Sequence, residues 1–379
     1  MKSWIAFPRS QGTFSRQAHC DLPKGSYERE VGRDGFYGPA THFYHRHPPT
    51  DWLSFEGELR PRAFDAGKLA APQACPWQAA QLLANAHCQI RLWAVDQAMS
   101  ELARNADGDE LLFVHVGSGE LFCDYGHLHY SQGDYLLLPR GTMWRLEPDG
   151  HCELLMIEAS GGQYQLPERG LLGGHAQFDP AMLDSPEIDA QFVEQQGEQA
   201  WSVIVKRADQ LSRIRFAYNP LDAMGWKGEL SALRINWRDI RPIVSPRYHL
   251  PPSAHSSFIA ERFVVCSFCP RPSESAEDAL NLPFYHSNDD YEEVIFYHQG
   301  DFLSRDNIHP GMLSYHPYGF THGPHPGAMK AAAECRGQSR ILEEMAVMID
   351  CRDALQVSEA AEAVEWSGYV DSWGAAQRR

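Results

Sequence analysis

Short apolar runs, separated by Gly, Pro and Asp, dominate the hydrophobic pattern along this chain. They span residues 89–95, 110–116, 120–126, 134–141 and 152–159 in the first half and 262–269, 293–300, 311–319 and 343–350 in the second half. Such runs with turn residues between them are typical of β-strands. Helical periodicity is brief, with its best examples at 76–86 and 358–366. The pattern therefore predicts an all-β, mainly antiparallel protein, in which the poorly periodic stretch 162–216 is a connector.

One segment of the second half combines turn residues with groups that bind metal ions. Six residues separate His286 from Glu293, and six more separate Glu293 from Gly300. The pattern Gly, five residues, Pro, one residue, Gly, two residues, His then runs from Gly311 to His322. These two spacings are the signature segments of a cupin barrel. Two neutral imidazoles and one carboxylate form the facial triad of non-haem Fe²⁺ oxygenases, which leaves positions open for substrate and O₂. We therefore predict that His286, Glu293 and His322 bind Fe²⁺.

The first half of the chain repeats both spacings with one change. Six residues separate Glu110 from Gly117, as they separate Glu293 from Gly300. The second spacing runs from Gly133 to Trp144, where the second half has His322. An indole nitrogen carries a hydrogen and has no lone pair for a metal. The repetition predicts a bicupin, that is, two cupin (jelly-roll) barrels in one chain. The N-terminal barrel is predicted to be metal-free and the C-terminal barrel to bind the metal. We place the N-terminal domain with its connector at 1–215 and the Fe²⁺-binding domain at 216–379.

The predicted carboxylate ligand has a neighbour of the same type. Glu292 directly precedes Glu293, and six residues after Glu292 lead to Gln299 instead of a glycine. Adjacent side chains of a strand point to opposite faces, so only one of the two can reach the metal. We choose Glu293, because its spacing ends at the glycine that the barrel turn needs.

The composition excludes several classes of function. Lys and Arg number 33 and Asp and Glu number 50, for a formal net charge of −17. This charge disfavours binding to nucleic acids or anionic membranes, because both need clustered Lys and Arg. Residues 1–12 lack the apolar core of a signal peptide, and no run approaches the roughly 20 apolar residues of a membrane span. The nine Cys are scattered and odd in number, which favours reduced thiols. We therefore expect a cytoplasmic protein.

Several blocks resemble the homogentisate 1,2-dioxygenase family in its shorter bacterial form. They lie within residues 218–350 and read NPLDAMGWKGEL, RYHLPPSAH, PRP, PFYHSND and FTHGPHPG. The resemblance implies an Fe²⁺ enzyme of tyrosine and phenylalanine catabolism, which uses O₂ to open the ring of homogentisate and forms maleylacetoacetate. It also implies a homo-oligomer built from trimers, such as a hexamer.

The resemblance further implies that the metal ligands are His286, Glu293 and His322, the same residues that the spacing predicts. It also assigns residues around the metal. His249 and His316 fall beside the ring-cleavage site, where one of them would accept the phenolic proton. We favour His249 as this base and His316 as a group that stabilises dioxygen or substrate. Arg305 stands where the family has a Lys facing the substrate. We expect its guanidinium to donate two parallel hydrogen bonds to the substrate carboxylate. Asn288 and Phe302 are also assigned to substrate binding.

Three departures or ambiguities keep alternatives open. Phe302 aligns with a family Tyr, and the loss of that hydroxyl leaves gentisate or another hydroquinone acid as a possible substrate. A non-catalytic cupin that binds a small ligand and a cupin isomerase or epimerase are further alternatives. His255 either lines the pocket or ends a turn. For six further histidines no partner ligand is spaced to match, and we expect packed or surface positions; they are His42, His45, His47, His127, His129 and His298.

Overall fold

The computed structural model describes residues 5, 7–69, 71–302, 304–305, 307–334 and 336–373. Within these residues the chain forms 24 strands and three short α-helices. The strands are β1 (Tyr27–Gly32), β2 (Ala40–His45), β3 (Arg62–Phe64), β4 (Ala80–Ala84), β5 (Cys88–Val95), β6 (Leu102–Asn105), β7 (Gly108–Val116), β8 (Gly119–Cys123), β9 (Gly126–Tyr130), β10 (Asp134–Leu138), β11 (Met143–Pro148), β12 (Cys152–Ser160), β13 (Trp201–Arg207), β14 (Gln210–Phe216), β15 (Leu233–Asn236), β16 (Ser256–Ile259), β17 (Phe263–Phe268), β18 (Arg271–Pro272), β19 (Tyr285–Asn288), β20 (Glu292–Gln299), β21 (Leu313–His316), β22 (Ile341–Leu342), β23 (Met345–Cys351) and β24 (Gln356–Val357).

The helical segments are short and lie between the strands. The α-helices are α1 (Ala190–Glu194), α2 (Pro326–Glu334) and α3 (Glu359–Glu362). The 3-10 helices span Ala66–Leu69, Pro76–Gln78, Gly170–Leu172, Pro180–Met182, Trp237–Asp239, Pro252–His255 and Val370–Trp373. None of the helices in the described residues has the length and apolarity that a bilayer crossing requires.

Most strand pairs are antiparallel, so the predicted all-β, mainly antiparallel fold class is confirmed. Two pairs of strands are parallel, β1 with β19 and β6 with β13.

Two local predictions differ from the structure. The stretch 76–86 holds a 3-10 helix and strand β4 instead of an α-helix, because pairing of β4 with β5 and β24 outweighs the helix propensity of its alanines. The predicted connector 162–216 holds β13 and β14, which extend a sheet of the first barrel.

Two large sheets form the first barrel. Their strand orders are β15-β10-β7-β12-β5-β4-β24 and β14-β13-β6-β11-β8-β9. The apolar core between them includes Trp93, Leu112, Leu121, Leu136 and Trp144. The rings of Trp93 and Trp144 meet edge to face, with centroids 5.9 Å apart. A packed aromatic ring therefore fills the position that carries His322 in the second half.

Strands from both ends of the chain build the second barrel. Its main sheet has the order β16-β17-β23-β20-β21-β3, and a smaller sheet has the order β19-β1-β2. β1, β2 and β3 thus join strands of the second half, whereas β15 and β24 join the first barrel. Strands from each of the predicted domains 1–215 and 216–379 pair with strands of the other, and the boundary between these domains stays a prediction.

The alternation of side chains along β20 decides what faces the interior of the second barrel. Val294 and Phe296 belong to the apolar core between the two barrels. Ile295 and Tyr297 belong to a separate core inside the second barrel. Because successive side chains of a strand point to opposite faces, Glu293 points inward with Ile295 and Tyr297.

Candidate metal centre

Three ionisable side chains converge inside the second barrel. His286 lies on β19, Glu293 lies on β20, and His322 follows β21. Backbone hydrogen bonds of 2.9 and 3.0 Å join His286 to His322. The Oε2 of Glu293 lies 3.8 Å from Nε2 of His286 and 3.7 Å from Nε2 of His322. Two atoms that share a first-row metal ion through bonds of about 2.1 Å can be up to about 4.2 Å apart, so both separations fit one ion.

The two imidazoles present lone pairs in a state that suits a metal ion. The Nδ1 of His286 donates to the carbonyl oxygen of Phe284 over 3.1 Å, which leaves Nε2 unprotonated. Burial, followed by the charge of His322, lowers the pKa of His286 to about 4. Within the described residues, both ring nitrogens of His322 are buried without a hydrogen-bond partner. An unsatisfied buried polar atom costs about 1–3 kcal/mol, and a metal ion at Nε2 would remove this cost.

The carboxylate of Glu293 is held by a third histidine. Burial alone would raise the pKa of Glu293, but His322 and His316 hold it well below its usual value. The Nδ1 of His316 lies 2.7 Å from Oε1 of Glu293, and its Nε2 lies 3.0 Å from the hydroxyl of Tyr369. A carboxylate can only accept a hydrogen bond, so Nδ1 donates to Glu293 and Nε2 accepts from Tyr369. His316 is fully buried behind the carboxylate.

Glu292 lies on the other face of β20. Its Oε2 accepts hydrogen bonds from the hydroxyl of Tyr315 over 2.7 Å and from the backbone N–H of Leu355 over 2.6 Å. These bonds hold the carboxylate in the region between the barrels, away from both histidines of the cluster. The structure thus brings Glu293, and not Glu292, to His286 and His322.

A cleft opens beside this cluster. His286 and Glu293 form part of its wall, and Phe268, Phe284 and Ile295 supply apolar surface. A largely apolar cleft with a few polar groups is typical of a small-molecule site.

His249 also lines the cleft, and its orientation is set by a residue that the sequence did not indicate. Its Nδ1 lies 2.8 Å from Oε1 of Glu274, and both side chains are buried. With Nδ1 engaged by the carboxylate, Nε2 is the nitrogen that can accept a proton. The sequence allows His255 either to line the pocket or to end a turn. In the structure it ends a 3-10 helix and packs edge to face on Phe268, and it does not line this cleft.

Arg305 is buried at the cleft and already has several neighbours. Its Nη1 donates to the carbonyl oxygens of Ser304 over 3.2 Å and Gly323 over 3.0 Å. Its Nη2 lies 3.7 Å from Oε1 of Glu293. Within the described residues, Nε is the buried nitrogen of this guanidinium that has no hydrogen-bond partner. Groups of the protein itself therefore already use part of the guanidinium that is predicted to bind a substrate carboxylate.

The other two predicted substrate contacts lie outside the cleft wall. Phe302 packs edge to face on Tyr297 with centroids 4.7 Å apart, inside the apolar core of the second barrel. Tyr297 itself lines the cleft and was missed by the sequence reasoning. Asn288 is buried at the end of β19, paired in register with Gly32 of β1. The substrate-binding roles of Phe302 and Asn288 stay predictions without a cleft contact.

Comparison with known families identifies the chain. Residues 75–236 match the family described as "Homogentisate 1,2-dioxygenase N-terminal", and residues 250–379 match the one described as "Homogentisate 1,2-dioxygenase C-terminal". The chain belongs to the homogentisate 1,2-dioxygenase family. The resemblance expected from the sequence blocks is thereby confirmed.

Individual relatives of this dioxygenase family differ in how much they share with the chain. A protein of Saccharolobus solfataricus named "Putative dioxygenase" is 30% identical over 390 residues, which is 97% of this chain and 99% of that protein. Homogentisate 1,2-dioxygenase of Rhizobium johnstonii is 26% identical over 291 residues; the match covers 73% of this chain but only 63% of the relative. A cupin 2 conserved barrel domain protein from Leptotrichia buccalis has a TM-score of 0.35 and 10% identity, over 79% of this chain and 99% of that protein, which is too distant to carry an argument.

In this member of the homogentisate 1,2-dioxygenase family, Glu110 occupies the position in the first barrel that Glu293 has in the second. Its Oε1 accepts a hydrogen bond from Nε1 of Trp77 over 2.9 Å. Burial, followed by the charge of Glu158, raises the pKa of Glu110 to about 7. Within the described residues, two groups of three side chains could hold a metal ion, and neither includes Glu110. One is the cluster of His286, Glu293 and His322, and the other lies near the N-terminus.

Proposed function

We propose that this chain is an Fe²⁺-dependent ring-cleaving dioxygenase that converts homogentisate and O₂ into maleylacetoacetate. The supporting observation is the buried cluster of His286, Glu293 and His322 at the wall of an aromatic cleft, in a member of a dioxygenase family. Two imidazoles and one carboxylate are the donor set that suits Fe²⁺ in oxygenases. When bound, a ferrous ion supplies the redox chemistry and the open positions that a reaction of O₂ with a phenol requires.

His249 is the proposed general base. It lines the cleft, and Glu274 holds its Nδ1 hydrogen, so Nε2 is free to accept the phenolic proton of the substrate. A free phenol loses its proton only near pH 10, and a neutral imidazole beside it accelerates that step at neutral pH. Glu274 then acts by orienting the ring and by stabilising the imidazolium that forms.

His316 is proposed as a positioning residue for the carboxylate of Glu293. It is fully buried, it contacts Glu293 and Tyr369, and it is absent from the cleft wall. This assignment replaces direct stabilisation of dioxygen or substrate, for which a group must reach the cleft. Hydrogen bonds of this kind fix the direction in which a metal ligand presents its lone pair.

Arg305 remains the proposed partner of the substrate carboxylate, and the aromatic rings of Phe268 and Phe284 are proposed to pack on the substrate ring. Arg305 lies in the cleft wall and carries a permanent charge. Its proximity to Glu293 also means that its charge acts on the proposed metal site. The trimer-based homo-oligomer that the family implies is a further prediction, which light scattering of the purified protein measures.

Oxygen uptake by the Fe²⁺-loaded protein tests the proposal. We expect uptake with homogentisate, little with gentisate or unsubstituted hydroquinone, and a product that contains both atoms of ¹⁸O₂ by mass spectrometry. His322→Ala should abolish uptake, whereas His151→Ala, which changes an exposed histidine paired with Glu153, should not.

The alternatives predict different results in the same assay. Faster uptake with gentisate than with homogentisate would move the substrate to another hydroquinone acid. A folded, Fe²⁺-loaded protein that consumes no O₂ with any hydroquinone acid would favour a non-catalytic cupin or an isomerase.

A further inference from the structure

A second cluster of two imidazoles and one carboxylate lies at the N-terminal hairpin of strands β1 and β2. Glu30 lies on β1, His42 lies on β2, and His19 precedes both strands. The Oε2 of Glu30 lies 3.0 Å from Nε2 of His19 and 3.8 Å from Nε2 of His42. One ligand atom from each residue lies within 4.8 Å of the others. The separation from His42 equals that between Glu293 and His286, whereas His19 is at hydrogen-bond distance from Glu30. The three residues belong to neither the cleft nor the first cluster.

Glu28 contacts both imidazoles from the opposite side, through hydrogen bonds to His19 and at ion-pair distance from His42. Its Oε2 accepts hydrogen bonds from the backbone N–H and from Nδ1 of His19, each over 2.9 Å. Its Oε1 accepts from the hydroxyl of Tyr44 over 3.0 Å and lies 3.3 Å from Nδ1 of His42. With four neighbours, this carboxylate is saturated. A carboxylate on Nδ1 is the usual group that orients a metal-binding histidine and raises the basicity of its other nitrogen.

The backbone conformation of His19 places its ring beside Glu30 and His42. His19 has a φ of 63°, a left-handed conformation that is uncommon outside glycine. Its ring stacks on Phe284, with centroids 3.8 Å and planes 17° apart. The side chain of His42 is 24% exposed, whereas that of His19 is 5% exposed. The cluster is therefore buried at His19 and Glu30 and reaches solvent at His42.

We propose that His19, Glu30 and His42 form a second metal site, which takes a divalent first-row transition-metal ion such as Zn²⁺. Two imidazoles and one carboxylate are a common set of protein ligands for Zn²⁺, and they leave a position for water at the exposed edge. Nε2 of each histidine is the proposed ligand atom, and Glu28 is the proposed orienting carboxylate. The site does not depend on the proposed dioxygenase activity.

The position of this site indicates a structural role for the ion. β1 pairs with β19 in register, so that Glu30 lies directly opposite His286. Phe284, on which His19 stacks, lines the cleft and meets His286 edge to face with centroids 5.6 Å apart. An ion at the second site would therefore attach the N-terminal hairpin to the strand that carries His286 and would hold one wall of the cleft. Without an ion, the same residues would form only a hydrogen-bonded imidazole–carboxylate cluster.

Zn²⁺ binding to the full-length chain, stripped of metal by a chelator, separates these two possibilities. The measurement is made in the His322→Ala background, which disables the first cluster, by elemental analysis after gel filtration and by competition with a chromogenic chelator. We expect about one Zn²⁺ per chain in this background, since one three-ligand site remains, and none after the further change His42→Ala. Glu28→Gln in the same background should weaken Zn²⁺ binding by about 10- to 100-fold.

Two further measurements guard against misfolding and adventitious sites. Zn²⁺ should raise the melting temperature of His322→Ala by mass action and should leave that of His322→Ala/His42→Ala unchanged. Adding His151→Ala to the background should not alter Zn²⁺ binding, and Glu30→Gln should give the same loss as His42→Ala if the latter fails to fold. Absence of Zn²⁺ from a folded His322→Ala protein, or full retention after His42→Ala and Glu30→Gln, would overturn the second site. Because no activity is read, this result is independent of the proposed reaction.

Discussion

The Nδ1 of His316 donates to Oε1 of Glu293 across 2.7 Å, and this bond orients the carboxylate that is proposed as a metal ligand. The donor is locked in turn, because Nε2 of His316 accepts from Tyr369. His316 lies six residues before His322 in the sequence. It nevertheless contacts Glu293, which lies on the neighbouring strand of the sheet.

His316→Ala should weaken Fe²⁺ binding by about 10- to 100-fold, the usual effect of losing an orienting hydrogen bond to a metal ligand. His316→Asn, whose amide can donate from a position close to that of Nδ1, should restore part of the affinity. Competition with a chelator measures both variants. Unchanged Fe²⁺ affinity together with a large fall in kcat would instead place His316 in proton transfer.

Glu293→Gln should lose most of its bound Fe²⁺, whereas Glu292→Gln should keep it. The matched substitutions remove one charge from each of two adjacent residues, and only Glu293 faces the two histidines. The amide oxygen introduced by Glu292→Gln can still accept the hydrogen bonds from Tyr315 and Leu355, so this variant should stay folded. Metal analysis and urea denaturation of both proteins provide the comparison, and the reverse order of metal loss would identify Glu292 as the ligand.

His249→Ala should lower kcat by about 10²- to 10⁴-fold, the usual contribution of a general base, while Fe²⁺ content stays unchanged. Glu274→Gln should cause a smaller loss, because the amide still contacts Nδ1 but no longer stabilises the imidazolium. Steady-state rates with metal content measured on each sample test this pair. Near wild-type turnover of His249→Ala would remove it from the mechanism.

Arg305→Ala should raise KM for homogentisate by about 10- to 100-fold, which corresponds to the 1.5–3 kcal/mol of a hydrogen bond to a charged group. A hydroquinone without a carboxylate should be affected much less, because it makes no such bond. Arg213→Ala, which removes an exposed arginine paired with Glu101, is the matched control. Equal losses for the acidic and the neutral substrate would show that Arg305 acts on the metal site through Glu293.

Glu110→Gln should stabilise the protein increasingly as the pH rises from 4.5 to 8. The pKa of Glu110 is raised from 4.5 in the unfolded chain to about 7 in the fold, so the folded state binds more protons across this interval. The stabilisation by neutral Glu110 is complete below 4.5 and is lost as the pH rises through 7. At about 1.4 kcal/mol per tenfold change in proton affinity, the total is roughly 3 kcal/mol. Urea denaturation at several pH values measures it, with exposed Glu194→Gln as the control; a pH-independent difference would contradict the raised pKa.

The sequence by itself determined the all-β architecture, the repeated cupin spacings and the family. These properties are local: a strand alternates its faces every two residues, and a turn needs its glycine or proline at a fixed distance. The same rule favoured Glu293 over Glu292, and the structure brings Glu293 to the two histidines, although its ligand role stays a prediction.

Only the tertiary structure decided which distant residues meet. No spacing relates His19 to His42 or His249 to Glu274. The first pair meets because the residues before β1 fold back onto the β1–β2 hairpin, where Glu30 lies opposite His42. The second pair meets because the loop before β16 reaches Glu274. The sequence therefore predicted a helix at 76–86, where the structure has a 3-10 helix and strand β4, and a connector at 162–216, which holds β13 and β14. Both differences involve pairing between strands far apart in the chain, β4 with β24 and β6 with β13. The free energy of such pairing is absent from any local pattern.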